Sequence, residues 1–353
     1  MSTDSNLQNN YDASRQNYSR TLLLSLLTFT LLAFFSLVPV ASVFADSNFA
    51  GEGNEASPFL ISDAEGLAKL AQLVNASGTN ATYKVKHYKL TSDIDLSGYQ
   101  ADVGWAPIGT NVTYNFSGTF DGDYHKITGL VIKNASTNNQ GVFGYLNGGV
   151  VKNLGVENAD VEGKENVGGI AGYAVAVANA SITNCYTSGV ISGTYAVGGI
   201  VGYVATNSSV RNCYSTSNVT GTTSNVGGVV GLLPSTGGII ENCFSQGVVI
   251  GNSYVGGVVG RIYHASASVT NCVALNPSVS AMSASTYYLG HVSGGTTGTL
   301  TNSYYRSDMV KGEESNNDFN NSKDGTSTEQ TGTASFWTGT VNWDGDTIWS
   351  FKD

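Results

Sequence analysis

Three groups of residues have types and spacings that could do chemistry. Asp121-Gly122-Asp123, with His125 just beyond, is the most enzyme-like. Residues two apart on a strand share a face. Grouped carboxylates on one strand face can serve as the acid and base of glycoside cleavage. The competing role is a tight turn, opened by Asp-Gly, between TF and HKITGLVI. Asp93 and Asp95 in SDIDLSG form a similar pair, with calcium as the ligand to weigh. Asp344-Gly345-Asp346 lies between Trp343 and Trp349 and reads as a turn. No run has the spaced acidic loop of a calcium module, so neither metal nor cofactor is expected. The second group is Cys185, Cys213, Cys243 and Cys272. The third is Asn184, Asn212, Asn242 and Asn271, each directly before one of those cysteines, with Asn302 in a matching place further on.

The cysteines and asparagines keep step because the chain repeats. NVGGIAGY (166–173), AVGGIVGY (196–203), NVGGVVGL (225–232) and YVGGVVGR (254–261) recur. Val167, Val197, Val226 and Val255 are 30, 29 and 29 residues apart. After each comes a second element: SITNCYTSGVISG, SVRNCYSTSNVTG, IIENCFSQGVVIG and SVTNCVALNPSVS. Weaker copies flank the set, with Asn153-Leu154 and Asn302-Ser303 in place of Asn-Cys. Gly pairs inside every period exclude a helix. Three short β-like stretches per period predict an all-β, parallel β-solenoid with repeats of about 29 residues, each turn stacked on the last. Turns ~4.8 Å apart make seven or so turns a rod about 35 Å long. Strict alternation in S-V-R-N-C-Y would point Val, Asn and Tyr to one face and Arg and Cys to the other.

Equivalent cysteines in adjacent turns would lie within reach of a disulfide, but side chains stacked in parallel point the same way. The expectation is an interior ladder of reduced thiols. A straight ladder does not converge on zinc. The asparagines are expected to form a second ladder, amide bonded to amide. Tyr173, Tyr186, Tyr203, Tyr214 and Tyr263 also recur at repeat positions. Such stripes can bind sugars or protein through amphipathic rings, or serve packing alone. Sequons at Asn111, Asn207 and Asn218 matter only in a source that glycosylates proteins.

The repeats resemble the GLUG motif family, through the GG(I/V)xG element, the Gly-rich linker and the N-C-Y element. The front end, from GEGNEASPFLISDAEGLAKLAQLVN through YKLTSDIDLSG and WAPIG to FSGTFDGDYHKITGLVI, resembles what commonly precedes such repeats. The tail STEQTGTASFWTGTVNWDGDTIWSF resembles the usual end of such arrays. The resemblance covers nearly all of 51–351 and implies the solenoid architecture. Such repeats occur in bacterial surface and adhesin-like proteins and in immunoglobulin-A-cleaving metallopeptidases. None of the four histidines, His87, His125, His264 and His291, stands in an HExxH pair, so the peptidase motif is missing from this sequence.

Composition bounds the partners. Lys and Arg number 16 against 26 Asp and Glu, a net charge of −10. No basic surface is available to displace counterions from nucleic acid. Residues 166–307 carry only Arg211, Glu241, Arg261 and Arg306, between acidic ends. Residues 21–45 are uncharged and apolar, with Arg15 and Arg20 ahead, Pro39 near the end, and Val43 and Ala45 at −3 and −1 of a cleavage site. The segment is long enough to serve as a signal anchor instead. The expected plan is a signal peptide or anchor (1–45), an N-terminal cap (46–140), a repeat solenoid (141–306) and an acidic tail (307–353). Ser62 with Glu65 forms a capping box for one helix from about Asp63 to Asn75, ended near Gly78, which would shield the first strand edge. The function expected is an exported, non-catalytic, secreted or cell-surface binding and adhesion module. Its partner would be a host or matrix protein or a surface glycan. It would touch a membrane only through an uncleaved N-terminal segment. The alternatives are a carbohydrate-active β-helix enzyme using Asp121 and Asp123, and a structural stalk.

Overall fold

The computed structural model describes residues 48–175, 180–282, 288–311 and 326–328. The export segment, most of the acidic tail and the Asp344–Asp346 turn lie outside the described residues. The chain divides into Met1–Ala45 and Asp46–Asp353, and the fold described here belongs to the second unit.

That unit is a parallel β-solenoid. One sheet stacks nine strands, from Phe59–Ile61 and His87–Leu90 through Ser209–Arg211 to Thr299–Thr301. A second stacks five, from Phe143–Asn147 to Val259–Ile262. A third joins seventeen strands along the remaining sides, the longest of them Tyr186–Gly198. Register passes from turn to turn: Ile182 pairs Val210, Val210 pairs Ile240, and Ile240 pairs Val269. Nine strands make eight steps of ~4.8 Å, or about 38 Å. The stack exceeds seven turns because the front-end strands Phe59–Ile61, His87–Leu90 and Thr119–Asp121 join the same sheet as the repeats.

The core is one column of Val, Ile, Leu and Phe, including Phe120, Val151, Ile182, Val210, Ile240 and Val269, all fully buried. Alternation carries each three-residue strand, then breaks. Val210 and Cys213 are both buried, while Arg211, Asn212 and Tyr214 are not. The expected division of faces is therefore wrong for this element. Asn212 has φ +52°, and a left-handed residue turns the chain through a corner, so the inward phase restarts one residue late. Asn153, Asn184, Asn242, Asn271 and Asn302 make the same corner, with φ between +47° and +55°. Asparagine tolerates this conformation better than other residues with a Cβ. The Gly pairs have a different cause. A Cβ on Gly228 would lie 1.9 Å from the Ser245 hydroxyl oxygen and 2.2 Å from the Gly257 carbonyl. The turns approach too closely there for any side chain.

Helix α1 (Ala64–Val74) buries Leu67, Leu70, Ala71, Leu73 and Val74 against the first turn. Its cap is Asp63, whose carboxylate accepts from the Gly66 amide at 2.8 Å. Ser62 instead donates to Asp63, so the cap lies one residue beyond the expected box. A second short helix, α2 (Asn80–Tyr83), follows, so the front end holds two helices where one was expected. Ala50 pairs antiparallel with Leu60 and covers part of the first strand edge.

Candidate functional site

Asp121, Asp123 and His125 lie close in the chain, but each is held by a different partner. Asp121 ends a strand and pairs with Lys152 at 3.0 Å. Its Oδ1 accepts from the Asp123 amide at 2.9 Å and from the Asn153 amide nitrogen at 2.9 Å. Burial alone would raise the Asp121 pKa. The Asp123 amide, Asn153 and Lys152 outweigh it, and the net direction is down. Asp123 turns outward at φ +49° and pairs with Lys89 at 3.0 Å. His125 Nδ1 meets Asp93 Oδ1 at 3.1 Å. The Lys126 amide, also donating to Asp93, holds that carboxyl below its ordinary range, with His125 assisting. Asp95 accepts from the amide and hydroxyl of Ser97, at 2.9 and 3.0 Å. The geometry is that of turns and ion pairs. A glycosidase acid needs a raised pKa, and Asp121 and Asp93 are pushed the other way.

Asp121 instead terminates a chain of amides. Asn153 donates to Asp121, Asn184 to Asn153 at 3.0 Å, Asn212 to Asn184 at 3.1 Å, Asn242 to Asn212 at 3.0 Å, and Asn271 to Asn242 at 3.2 Å. Every amide points its N–H toward the N-terminal end, so the dipoles add. A carboxylate at that end is the strongest acceptor the chain could place there. Beside it, Cys185, Cys213, Cys243 and Cys272 are buried and unbridged. The Cys213 thiol lies 3.1 Å from the Arg211 carbonyl, as a weak donor. Burial pushes the thiols of Cys213 and Cys272 well above the ordinary range.

Aromatic residues form the lateral features. Tyr145, Tyr173 and Tyr203 stack at 4.7 and 4.5 Å with planes within 14°. Tyr186, Tyr214 and Phe244 stack at 5.0 and 4.8 Å. The Tyr186 hydroxyl donates to Glu157, which also pairs with Lys126. In both ladders the ring faces cover one another. A sugar cannot stack on the middle ring, and the edges and hydroxyls are what face outward. The first ladder continues through Leu232 to Arg261 in register. The Arg261 guanidinium carbon lies 3.9 Å from the Tyr254 ring centre and 4.4 Å from that of Tyr263. Tyr254 stacks on Tyr288 at 4.4 Å. A cleft of about 910 Å³ at the front end, beside Asp63, Glu65 and Lys69, is a separate feature, and its Asp63 is already the cap of α1.

The repeat alignment singled out Tyr173, Tyr186, Tyr203, Tyr214 and Tyr263 but passed over Arg261, Tyr254 and Tyr288. The signal was there. The four GG elements end in Tyr, Tyr, Leu and Arg, and begin with Asn, Ala, Asn and Tyr. Asp121 as the ladder's end was also missed, though Lys89, Asp121 and Lys152 fall at near-period spacing.

The GLUG motif matches residues 193–220 and 251–280, so the chain carries GLUG repeats in its solenoid. Halomucin of Haloquadratum walsbyi is 32% identical over 167 residues. The match covers 45% of this chain and 2% of halomucin, so this chain spans a small part of that relative's length. A candidate immunoglobulin A1 protease from Bacteroides ovatus, known from a crystal structure, shares the fold. Its TM-score is 0.64 at 23% identity, covering 81% of this chain and 87% of that one.

Proposed function

We propose that this chain is an exported, non-catalytic solenoid that binds a ligand at a cell surface or in the secreted medium through its lateral faces. The observation that carries this is the strip from Tyr145 through Tyr173, Tyr203 and Leu232 to Arg261, which runs in register along one side of the stack. Such a strip offers hydroxyls and a cation at a fixed pitch, suited to an extended partner. The carboxylates, by contrast, are engaged in turns, ion pairs and the amide ladder. The likeness to halomucin and the uncharged segment at 21–45 both support export.

The enzyme is the second reading, and the name of the B. ovatus protein keeps peptidase activity in view. The test pairs a glycan and matrix-protein array with turnover assays on pectin, alginate, glycosaminoglycan and immunoglobulin A. Wild type and an Asp121→Asn/Asp123→Asn double variant are compared. Binding without turnover in both is the expected result. Turnover by wild type that vanishes in a folded double variant would establish the enzyme instead.

A further inference from the structure

We propose that Arg261, with Tyr254, Tyr263 and Tyr288, binds the carboxylate of an acidic saccharide. This rests on the binding-module reading and names its ligand class. Residues 166–307 hold four charges, and three are accounted for. Arg211 pairs with Glu241, and Arg306 pairs with Asp308 at 2.6 Å. Arg261 has no acidic partner and no hydrogen-bond acceptor among the described residues. It is half-buried, held over two tyrosine rings, and keeps a full set of N–H donors. A guanidinium placed this way is fixed in direction and partly desolvated, which favours a bidentate carboxylate.

The surroundings select the rest of the ligand. Tyr263 and Tyr288 are 57% and 53% exposed, large values for aromatic rings. Tyr288 follows Tyr254 in its stack, and no further ring covers its other face among the described residues. That face can take the apolar side of a sugar ring, which the interior tyrosines of the long ladders cannot. Tyr254 and Tyr288 both sit at left-handed φ, +51° and +72°. Asn166, Ala196 and Asn225 fill the equivalent place in earlier turns. Bulky residues are disfavoured in this conformation, and such departures cluster at ligand sites. The local charge also permits an anion: residues 166–307 hold three bases and one acid, while the surplus acids lie at the ends. A uronic acid joins the two required features, a flat apolar ring side and a carboxylate fixed beside it. An acidic peptide has only the second.

The test uses the full chain with an oligogalacturonate and its carboxyl-reduced counterpart, by calorimetry at low and physiological salt. Wild type should bind the acid form at least about tenfold more tightly than the reduced form. Arg261→Gln should abolish that preference, and Arg261→Lys should recover only part of it, since the charge returns without the fork. Tyr263→Ala should weaken both forms. Circular dichroism checks that each variant keeps the β spectrum. Equal binding of the two forms, or an unchanged preference in Arg261→Gln, overturns the proposal. So does equal, Arg261-dependent binding of poly-glutamate, which would assign an acidic peptide instead. If the array of the previous section finds another ligand that Arg261→Gln leaves untouched, this site fails and the binding module stands. If no array ligand and no uronate binds, both fail.

Discussion

At Asp121 one carboxylate does three structural tasks: it closes a turn, pairs with Lys152 and terminates the amide ladder. The Lys152 pair requires the ionised form and the two hydrogen bonds are stronger to it, and the folded pKa lies below the ordinary carboxylate value. The stabilisation is therefore present above the unfolded pKa of ~3.9 and disappears as pH falls through the folded value. Asp121→Asn should lower stability at neutral pH by about 1 kcal/mol, the side chain being partly exposed. It should also flatten the acid limb of a urea-midpoint profile below about pH 4. An acid limb identical to wild type would separate Asp121 from the ladder. The cysteines give a second outcome at this scale. With all four thiols buried, Ellman's reagent should count none in the native state and four after denaturation. None in denaturant would reveal disulfides.

The corner asparagines decide how the elements join. A period near 29 and the β character of each repeat were legible in the sequence, because Gly pairs and Asn-Cys recur in step. The faces were not. Period-two reasoning assumes an unbroken strand, and a single left-handed residue such as Asn212 restarts the phase. The carboxylates near Asp121 were open to two readings, site or turn: proximity in the chain was visible, but the Lys89 and Lys152 partners come from neighbouring turns. Asn212 makes two contributions that substitution can separate. Its side chain links Asn184 and Asn242, and its backbone holds φ +52°. Asn212→Gly removes the two amide bonds but keeps the backbone free to turn. Asn212→Ala removes the bonds and adds strain of about 1–2 kcal/mol. Chemical unfolding should therefore rank wild type above Gly, and Gly above Ala. An Ala variant as stable as the Gly variant would show that the corner does not govern the energetics.

Across the whole stack, stability depends on interfaces between adjacent turns, and the aromatic ladders tie several turns together. Burial raises the phenol pKa of Tyr145, Tyr173, Tyr203, Tyr186 and Tyr214. For Tyr173, neighbouring Tyr203 and Tyr145 add to the effect, and for Tyr186 the Glu157 carboxylate does. A raised folded pKa means the neutral ladder contributes stability that is complete below the unfolded phenol value of ~10. That contribution is lost as pH rises through the folded values. Charging one ring also disfavours charging the ring stacked 4.5 Å away, so the ladders should resist ionisation together rather than ring by ring. The expected outcome is that absorbance of phenolate near 295 nm appears in two stages. The later stage, from the ladder tyrosines, comes only as the β signal in circular dichroism is lost. Replacing Tyr173 with Phe should move the alkaline midpoint upward, since it keeps the stacked ring but removes the hydroxyl whose charge would meet two neighbours. A smooth single titration complete while the β signal persists would show that the ladders are not coupled to the integrity of the stack.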